Sequence, residues 1–140
     1  MDNINYHFLV KWGDTDAAGI VYSPNYYKWM DEATHHFFAS MGSPLSVLTT
    51  VDKIGIPVLE SNMQFKKALY FEESVEVSSS IEMVKDKVFT IKHTFYKSGE
   101  QVAIGQETRA LASMAEEKLR AISIPESIRE VLLKYQAVKN

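Results

Sequence analysis

The sequence predicts a single α+β domain in which one long helix packs on one face of an antiparallel sheet. Three observations carry this. Near the start, Tyr6, Phe8, Val10 and Trp12 alternate with His7, Leu9 and Lys11, the period of a half-buried strand. The longest helical periodicity follows directly, from Ser23-Pro24 to Gly42. Nearly everything after that alternates again, in four segments separated by turn residues.

The first strand, Tyr6 to Trp12, runs into Gly13-Asp14-Thr15-Asp16-Ala17-Ala18-Gly19, where aspartates and glycines favour a tight loop over continued pairing. Ser23-Pro24 then starts a helix, because serine suits the N-cap and proline the first helical position, whose N–H has no partner in any case. Tyr26, Met30, Ala33, Phe37 and Met41 recur at helical spacing with Trp29 on the flank, and Gly42 is placed to end the helix. So wide and aromatic an arc suits a helix clasped by a sheet.

Ser43 to Asp52 is expected to be a loop with a helical turn. Four strands follow: Pro57–Lys67; a segment carrying Val75, Val77, Ile81 and Met83; one carrying Phe89, Ile91, His93 and Phe95; and one from Val102 through Met114. Lys85-Asp86-Lys87 and Lys97-Ser98-Gly99-Glu100 are hairpin turns, so the strands they join are antiparallel neighbours. Glu116-Glu117-Lys118 turns the chain again, Leu119–Ile124 is a short extended run, and Ser123 to Lys139 is a terminal helix opening near Pro125.

With 140 residues, 46% hydrophobic and 24% charged, the chain suits one globular unit, residues 1–140, with no linker or repeat to mark a second. No segment approaches the roughly 18 apolar residues of a membrane span, and MDNINYHF lacks the basic and apolar regions of a signal peptide. A cytoplasmic protein without membrane insertion is expected. The absence of cysteine removes thiolate nucleophiles, disulfides and cysteine-ligated metals. A net charge of −3 argues against nucleic acid as a partner. Glu32-Ala33-Thr34-His35 has the Glu-x-x-His spacing of di-iron helices, but such a site needs a second copy of the motif and more carboxylates. No metal or cofactor is expected. Gly-x-Ser-x-Gly, Walker and His-Glu-x-x-His motifs are absent from the sequence, which excludes serine hydrolases of that type, phosphate-loop enzymes and zincins.

The run Trp12-Gly13-Asp14-Thr15-Asp16-Ala17-Ala18-Gly19-Ile20-Val21-Tyr22-Ser23-Pro24-Asn25-Tyr26, followed by Trp29-Met30-Asp31, resembles the 4-hydroxybenzoyl-CoA thioesterase family of hotdog proteins. Its Asp-x-Asp-x-x-Gly-Ile-Val loop feeding an x-Pro-Asn-Tyr helix start matches almost without gaps. The resemblance implies the hotdog fold, an antiparallel sheet wrapped around one long central helix plus a C-terminal helix, and hydrolysis of an acyl-CoA thioester. It implies that Asp16 is the catalytic carboxylate and that Ser23 offers its backbone N–H to the thioester carbonyl, with Gly19 and Tyr22 beside the substrate. Elementary electrostatics agree, because a helix N-terminus presents unpaired N–H groups and a positive partial charge to a developing oxyanion. Asp16 then either attacks the carbonyl carbon or deprotonates a water that does so.

By the same resemblance Asp31 reaches the ring hydroxyl of an aromatic acyl group across a subunit boundary; by helical spacing alone it pairs with Lys28 or His35. Asp14 is read as an orienter of the loop or of the sheet edge. Where the benzoyl thioesterase pattern carries a tryptophan after Gly42, near Ser46, this chain has none, so the ring pocket is remodelled and its substitution, 4-hydroxy or 2,5-dihydroxy (gentisyl), stays open. Lys85, Lys87, Lys118 and Arg120 match basic positions that contact coenzyme A phosphates, Arg120 foremost. Glu60-Ser61-Asn62 is a polar break expected at a sheet edge or bulge. A single sheet with an open edge calls for a second copy, and the resemblance implies a homodimer and a homotetramer. The three readings carried forward are an aromatic acyl-CoA thioesterase, an aliphatic one of the same fold, and a non-catalytic acyl-CoA-binding module.

Overall fold

Strand β1 covers Ile4–Leu9 and pairs antiparallel with β4, Ser74–Val84, in a computed structural model that describes residues 3–136. It starts earlier than expected and stops short of Trp12, which lies instead in a 3-10 turn over Trp12–Asp14. The cause is local. Asp14 Oδ2 accepts the Lys11 N–H at 2.8 Å and the Thr15 hydroxyl donates to the Trp12 carbonyl at 2.7 Å, which bends the chain out of the ladder and leaves Trp12 76% exposed.

Helix α1, Pro24–Ser40, follows the loop. Proline does occupy its first position. Ser23, however, makes no side-chain capping bond and itself has helical dihedrals of −54° and −36°. The Asn25 and Tyr26 N–H groups are taken by the Tyr22 and Ser23 carbonyls, so no donor remains for the hydroxyl. At the other end Gly42, with φ of +86°, closes the helix as expected. A short helix α2, Leu45–Thr50, supplies the anticipated helical turn.

The long strands are β3 (Val58–Phe65), β4, β5 (Val88–Lys97) and β6 (Glu100–Ala110). With β1 they form a five-stranded sheet of order β1-β4-β5-β6-β3. The two hairpins pair their strands antiparallel, as the turn residues dictate. Strand β3 lies on the edge beyond β6, with a bulge between Val58 and Glu60, so the polar break at Glu60-Ser61-Asn62 is an exposed edge. The strand expected to run through Met114 breaks at Leu111, where the Leu111 N–H donates to the Lys87 carbonyl. Beyond it, β7 (Ala112–Ser113) sits between β2 (Ile54–Gly55) and β8 (Arg120–Ala121) in a small second sheet. The terminal helix α3, Glu126–Lys134, opens after Pro125 and ends earlier than expected. Its exit is fixed to β4, where the Ile81 N–H donates to the Tyr135 carbonyl at the β4 bulge; residues 137–139 of the expected helix lie outside the described residues.

The large sheet wraps α1. Tyr26, Trp29, Met30 and Ala33 pack with Val75, Val77 and Phe95 around one half of the helix, and Phe37 and Phe38 with Ile81, Phe89, Ile91 and Leu132 around the other. Each such aromatic side chain stabilises the fold by about 1.5–3 kcal/mol through burial alone. Close approach is secured at Gly105, where a Cβ would collide with the sulfurs of Met30 on α1 and Met63 on β3. No described helix is long and apolar enough to cross a membrane.

Candidate active site

The loop before α1 is a small, heavily tied hairpin. Thr15 and Val21 bridge antiparallel, the Asp16 N–H donates to the Ile20 carbonyl at 3.0 Å, and the Gly19 N–H returns to the Asp16 carbonyl at 2.9 Å. Gly19 has φ of +82°, a conformation that favours glycine. Asp14 acts as the loop's clamp: besides holding Lys11, its carbonyl accepts the Tyr22 N–H and the Asn25 side-chain amide. The turn is thereby fastened to the helix start.

Within this frame the Asp16 carboxylate is exposed. One oxygen, Oδ1, accepts the Ala18 N–H at 2.8 Å, which fixes its direction and leaves Oδ2 without a hydrogen-bond donor among the described residues. Asp16 lines a shallow cleft of about 370 Å³ with Trp12, Gly13, Thr15 and Ala17. Ser23 is exposed and its N–H makes no hydrogen bond among the described residues. It borders a cleft of about 270 Å³ walled by Ile20, Tyr26, Phe65 and Leu69. Tyr22, next to Ser23 in the chain, is 54% exposed. The loop therefore offers a free carboxylate oxygen and an unpaired helix-start N–H, the two groups an acyl transfer to oxygen requires.

Asp31 lies elsewhere. Eight residues beyond Ser23, it is about 12 Å farther along the helix axis, half-exposed. Its Oδ1 accepts from Arg109 Nη2 at 2.9 Å, while His35 Nε2 stands 3.6 Å from Oδ2; the helical pairing with His35 is present and that with Lys28 is not among the described ion pairs. Both His35 and Arg109 line a cleft of about 560 Å³ with Leu45, Ser46, Ile56 and Met114. Ser46 is the neighbourhood of the missing tryptophan. The clefts lined by Asp16, by Ser23 and by His35 with Arg109 share no residue.

Arg109 belongs to a buried polar cluster that sequence reasoning missed. It clamps Glu107 through Nε and Nη2 at 3.0 and 2.9 Å and donates through Nη1 to the Ile56 carbonyl. The Thr34 hydroxyl donates to Glu107 Oε1 at 2.6 Å and lies 2.9 Å from His93 Nε2, while Ser79 Oγ lies 2.7 Å from His93 Nδ1. Burial opposes charge on Glu107, yet His93, Arg109 and Thr34 outweigh it and hold the carboxyl at about 2. Burial pushes His93 below its usual value, against the pull of Glu107. The Arg109 guanidinium rises above its usual value, because Glu107 and Asp31 together outweigh its burial. A signal existed: Glu107 and Arg109 share the parity of Ala103 and Gly105, the inward face of β6.

The basic candidates lie on two separate segments. Lys85 and Lys87 flank Asp86, whose carbonyl accepts the Ile124 N–H, and Leu111, bound to Lys87, accepts the Ile122 N–H. This draws the β4–β5 turn against the segment after β8, so that Lys85, Lys87, Lys118 and Arg120, all exposed, lie on chain segments packed together.

A family model described as the thioesterase-like superfamily matches residues 10–132. The chain belongs to this superfamily. It is 30% identical to the 4-hydroxybenzoyl-CoA thioesterase of Pseudomonas sp. (strain CBS-3) over 123 residues, which covers 83% of this chain and 87% of that protein. The solved structure of that Pseudomonas enzyme superposes with a TM-score of 0.87 at 27% identity, covering 94% of this chain and 99% of the other. A gentisyl-coenzyme A thioesterase structure gives a TM-score of 0.84 at 50% identity, over 90% of this chain and 99% of that one. The protein is thus a hotdog-fold thioesterase. The sheet, the long helix of this thioesterase and its terminal helix are the arrangement the resemblance implied.

Proposed function

We propose that this thioesterase hydrolyses a hydroxylated aromatic acyl-CoA, of the hydroxybenzoyl or gentisyl class, to the free acid and coenzyme A. The observation that carries the reading is the Asp16 loop: a carboxylate with one oxygen anchored and one free, set in the turn that leads to an unpaired Ser23 N–H at the start of α1. In the proposed reaction the thioester carbonyl oxygen receives the Ser23 N–H. Asp16 attacks the carbonyl carbon, or takes a proton from the water that does; the C–S bond breaks and coenzyme A leaves as a thiolate, protonated by Asp16 in the water route and by solvent in the anhydride route. If a mixed anhydride forms on Asp16, water cleaves it and restores the carboxylate. The preorganised N–H stabilises negative charge on the carbonyl oxygen without reorganising.

The aromatic class rests on two supports. Structural and sequence relatives at 50% and 30% identity act, by their names, on gentisyl- and 4-hydroxybenzoyl-CoA. Asp31 Oδ2 makes no hydrogen bond among the described residues, with His35 Nε2 at 3.6 Å, and is suited to accept from a ring hydroxyl. Asp31 lies about 12 Å along the helix axis from Ser23, so in the proposed site the Asp31 of a second copy meets the Asp16 and Ser23 of the first, between subunits. Edge strand β3, with Val58, Leu59 and Phe65 exposed, suits such pairing. The proposed assembly is a homodimer, doubled to a homotetramer, acting in the cytoplasm, with Arg120, Lys118, Lys85 and Lys87 on the coenzyme A phosphates.

The test is thiol release from a panel of aryl- and alkyl-CoA esters. Turnover of hydroxybenzoyl- or gentisyl-CoA well above unsubstituted benzoyl- and alkyl-CoA is expected; turnover on none of them would refute the reading, and a preference for alkyl chains would favour an aliphatic thioesterase.

A further inference from the structure

We infer that Arg109 is a positioning residue for Asp31, and that the buried Glu107–Arg109 pair sets this thioesterase's preference for a ring hydroxyl. The inference rests on the reading of Asp31 given above and adds a residue that does not touch the reacting atoms.

The geometry follows from two periodicities. Asp31 and Thr34 are one turn apart on α1, and Glu107 and Arg109 are two apart on β6, so each pair shares a face. Where helix and strand meet, Glu107 is the fixed point. Thr34 spends its only hydroxyl hydrogen on Glu107 Oε1, at 2.6 Å. The 2.9 Å contact between Thr34 Oγ1 and His93 Nε2 therefore has the imidazole as donor, and Ser79 Oγ lies 2.7 Å from Nδ1. Burial disfavours the charged imidazole, and in the neutral ring with its proton on Nε2 the Nδ1 atom accepts from Ser79. Groups on β4, β5 and α1 thus lock one carboxylate, and that carboxylate locks the guanidinium in a two-point fork.

Arg109, so held, has one N–H directed to the Ile56 carbonyl and one to Asp31 Oδ1. Asp31 is half-exposed while Arg109 is 5% exposed at its side chain. The buried partner therefore dictates where the exposed carboxylate rests. With Oδ1 engaged and the positive charge beside it, Asp31 presents Oδ2, which has only His35 Nε2 nearby at 3.6 Å, as an acceptor in a fixed direction. That suits an O–H donor and disfavours a bare ring, which would leave the carboxylate partly desolvated without a partner. Without Arg109 the Asp31 side chain swings among rotamers in solvent, and the preference for a hydroxyl is lost.

The experiment compares kcat/KM for 4-hydroxybenzoyl-CoA and benzoyl-CoA in the full-length wild type, Asp31→Ala, Arg109→Lys and the double variant, with circular dichroism to confirm folding. Lysine retains one charge but cannot fork Glu107 and also reach Ile56 and Asp31. The ratio of the two specificity constants is expected to fall about tenfold or more in each single variant. The double variant should fall no further than Asp31→Ala, since the two residues act as a unit. A wild-type ratio in folded Arg109→Lys, equal losses on both substrates, or losses that multiply in the double variant would each overturn the inference. If Asp31→Ala itself leaves the ratio unchanged, the ring-reading role falls first, and the inference with it. Should Arg109→Lys not fold, Glu107→Gln decides: the same loss of ratio supports the inference, and an unchanged ratio overturns it.

Discussion

Arg109, buried on β6, donates through Nη2 to Asp31 Oδ1 at 2.9 Å, and so couples a half-exposed carboxylate on the central helix to the polar core of the domain. Asp31, read from sequence as a ring contact or a helical partner of Lys28 or His35, is also the outermost member of a cluster that reaches back to Ser79 on β4.

For the substrate, this predicts that Asp31 is worth one charge-assisted hydrogen bond to the ring. In Asp31→Ala the specificity constant for a hydroxylated aryl-CoA should fall by about 1.5–3 kcal/mol relative to the unsubstituted ring, measured as the ratio of kcat/KM values. An equal fall for both rings contradicts the assignment.

For stability, the fork matters as a pair. Replacing Glu107 alone by leucine strands Arg109 and Thr34 without their shared acceptor, and should cost about 3–5 kcal/mol in urea unfolding. Replacing Glu107 and Arg109 together by apolar residues of similar volume should cost much less. Equal costs for the two variants would show that the charges were not compensating each other.

Acid should find the same cluster. Glu107 is held at about 2 in the folded protein against an ordinary value of 4.5, so the unfolded chain binds the proton first. The stabilisation, on the order of 3 kcal/mol, is complete above about 4.5 and disappears as pH falls toward 2. His93 is also lowered, from an ordinary 6.5, which makes stability begin to decline already below about 6.5. Denaturant unfolding from pH 7 to pH 3 should show both declines, and Glu107→Gln should abolish the lower one. A flat profile for the wild type would rule out the pairing.

Much of the architecture was legible because its signals are local. Ser23-Pro24 and Gly42 bracket the helix, Lys97-Ser98-Gly99-Glu100 turns a hairpin, and period-two alternation marks β4 to β6. What failed involved competition or distance. Trp12 satisfies the alternation but is pulled from the strand by Asp14 and Thr15, and the Ser23 hydroxyl lost its capping role because backbone carbonyls took the donors first. The candidate loop was visible as a contiguous run, whereas Thr34, His93, Glu107 and Arg109 come from three elements and meet only once the sheet is ordered β4-β5-β6. The inward parity of Glu107 and Arg109 was the one trace of them in the sequence.

Coenzyme A recognition should be electrostatic and shallow. Arg120 is exposed, so Arg120→Ala is expected to raise KM for the preferred acyl-CoA a few-fold with little change in kcat, and to flatten the dependence of KM on ionic strength. Initial rates at two salt concentrations check this; an unchanged salt dependence would remove Arg120 from the phosphates.

The most direct test is turnover of the preferred aryl-CoA by Asp16→Asn, an isosteric change that keeps an acceptor for the Ala18 N–H but removes the charge. A fall in kcat of roughly 10²–10⁴-fold, with substrate affinity and unfolding midpoint close to wild type, is the result expected if Asp16 attacks the thioester or activates water. Turnover within a few-fold of wild type would contradict it.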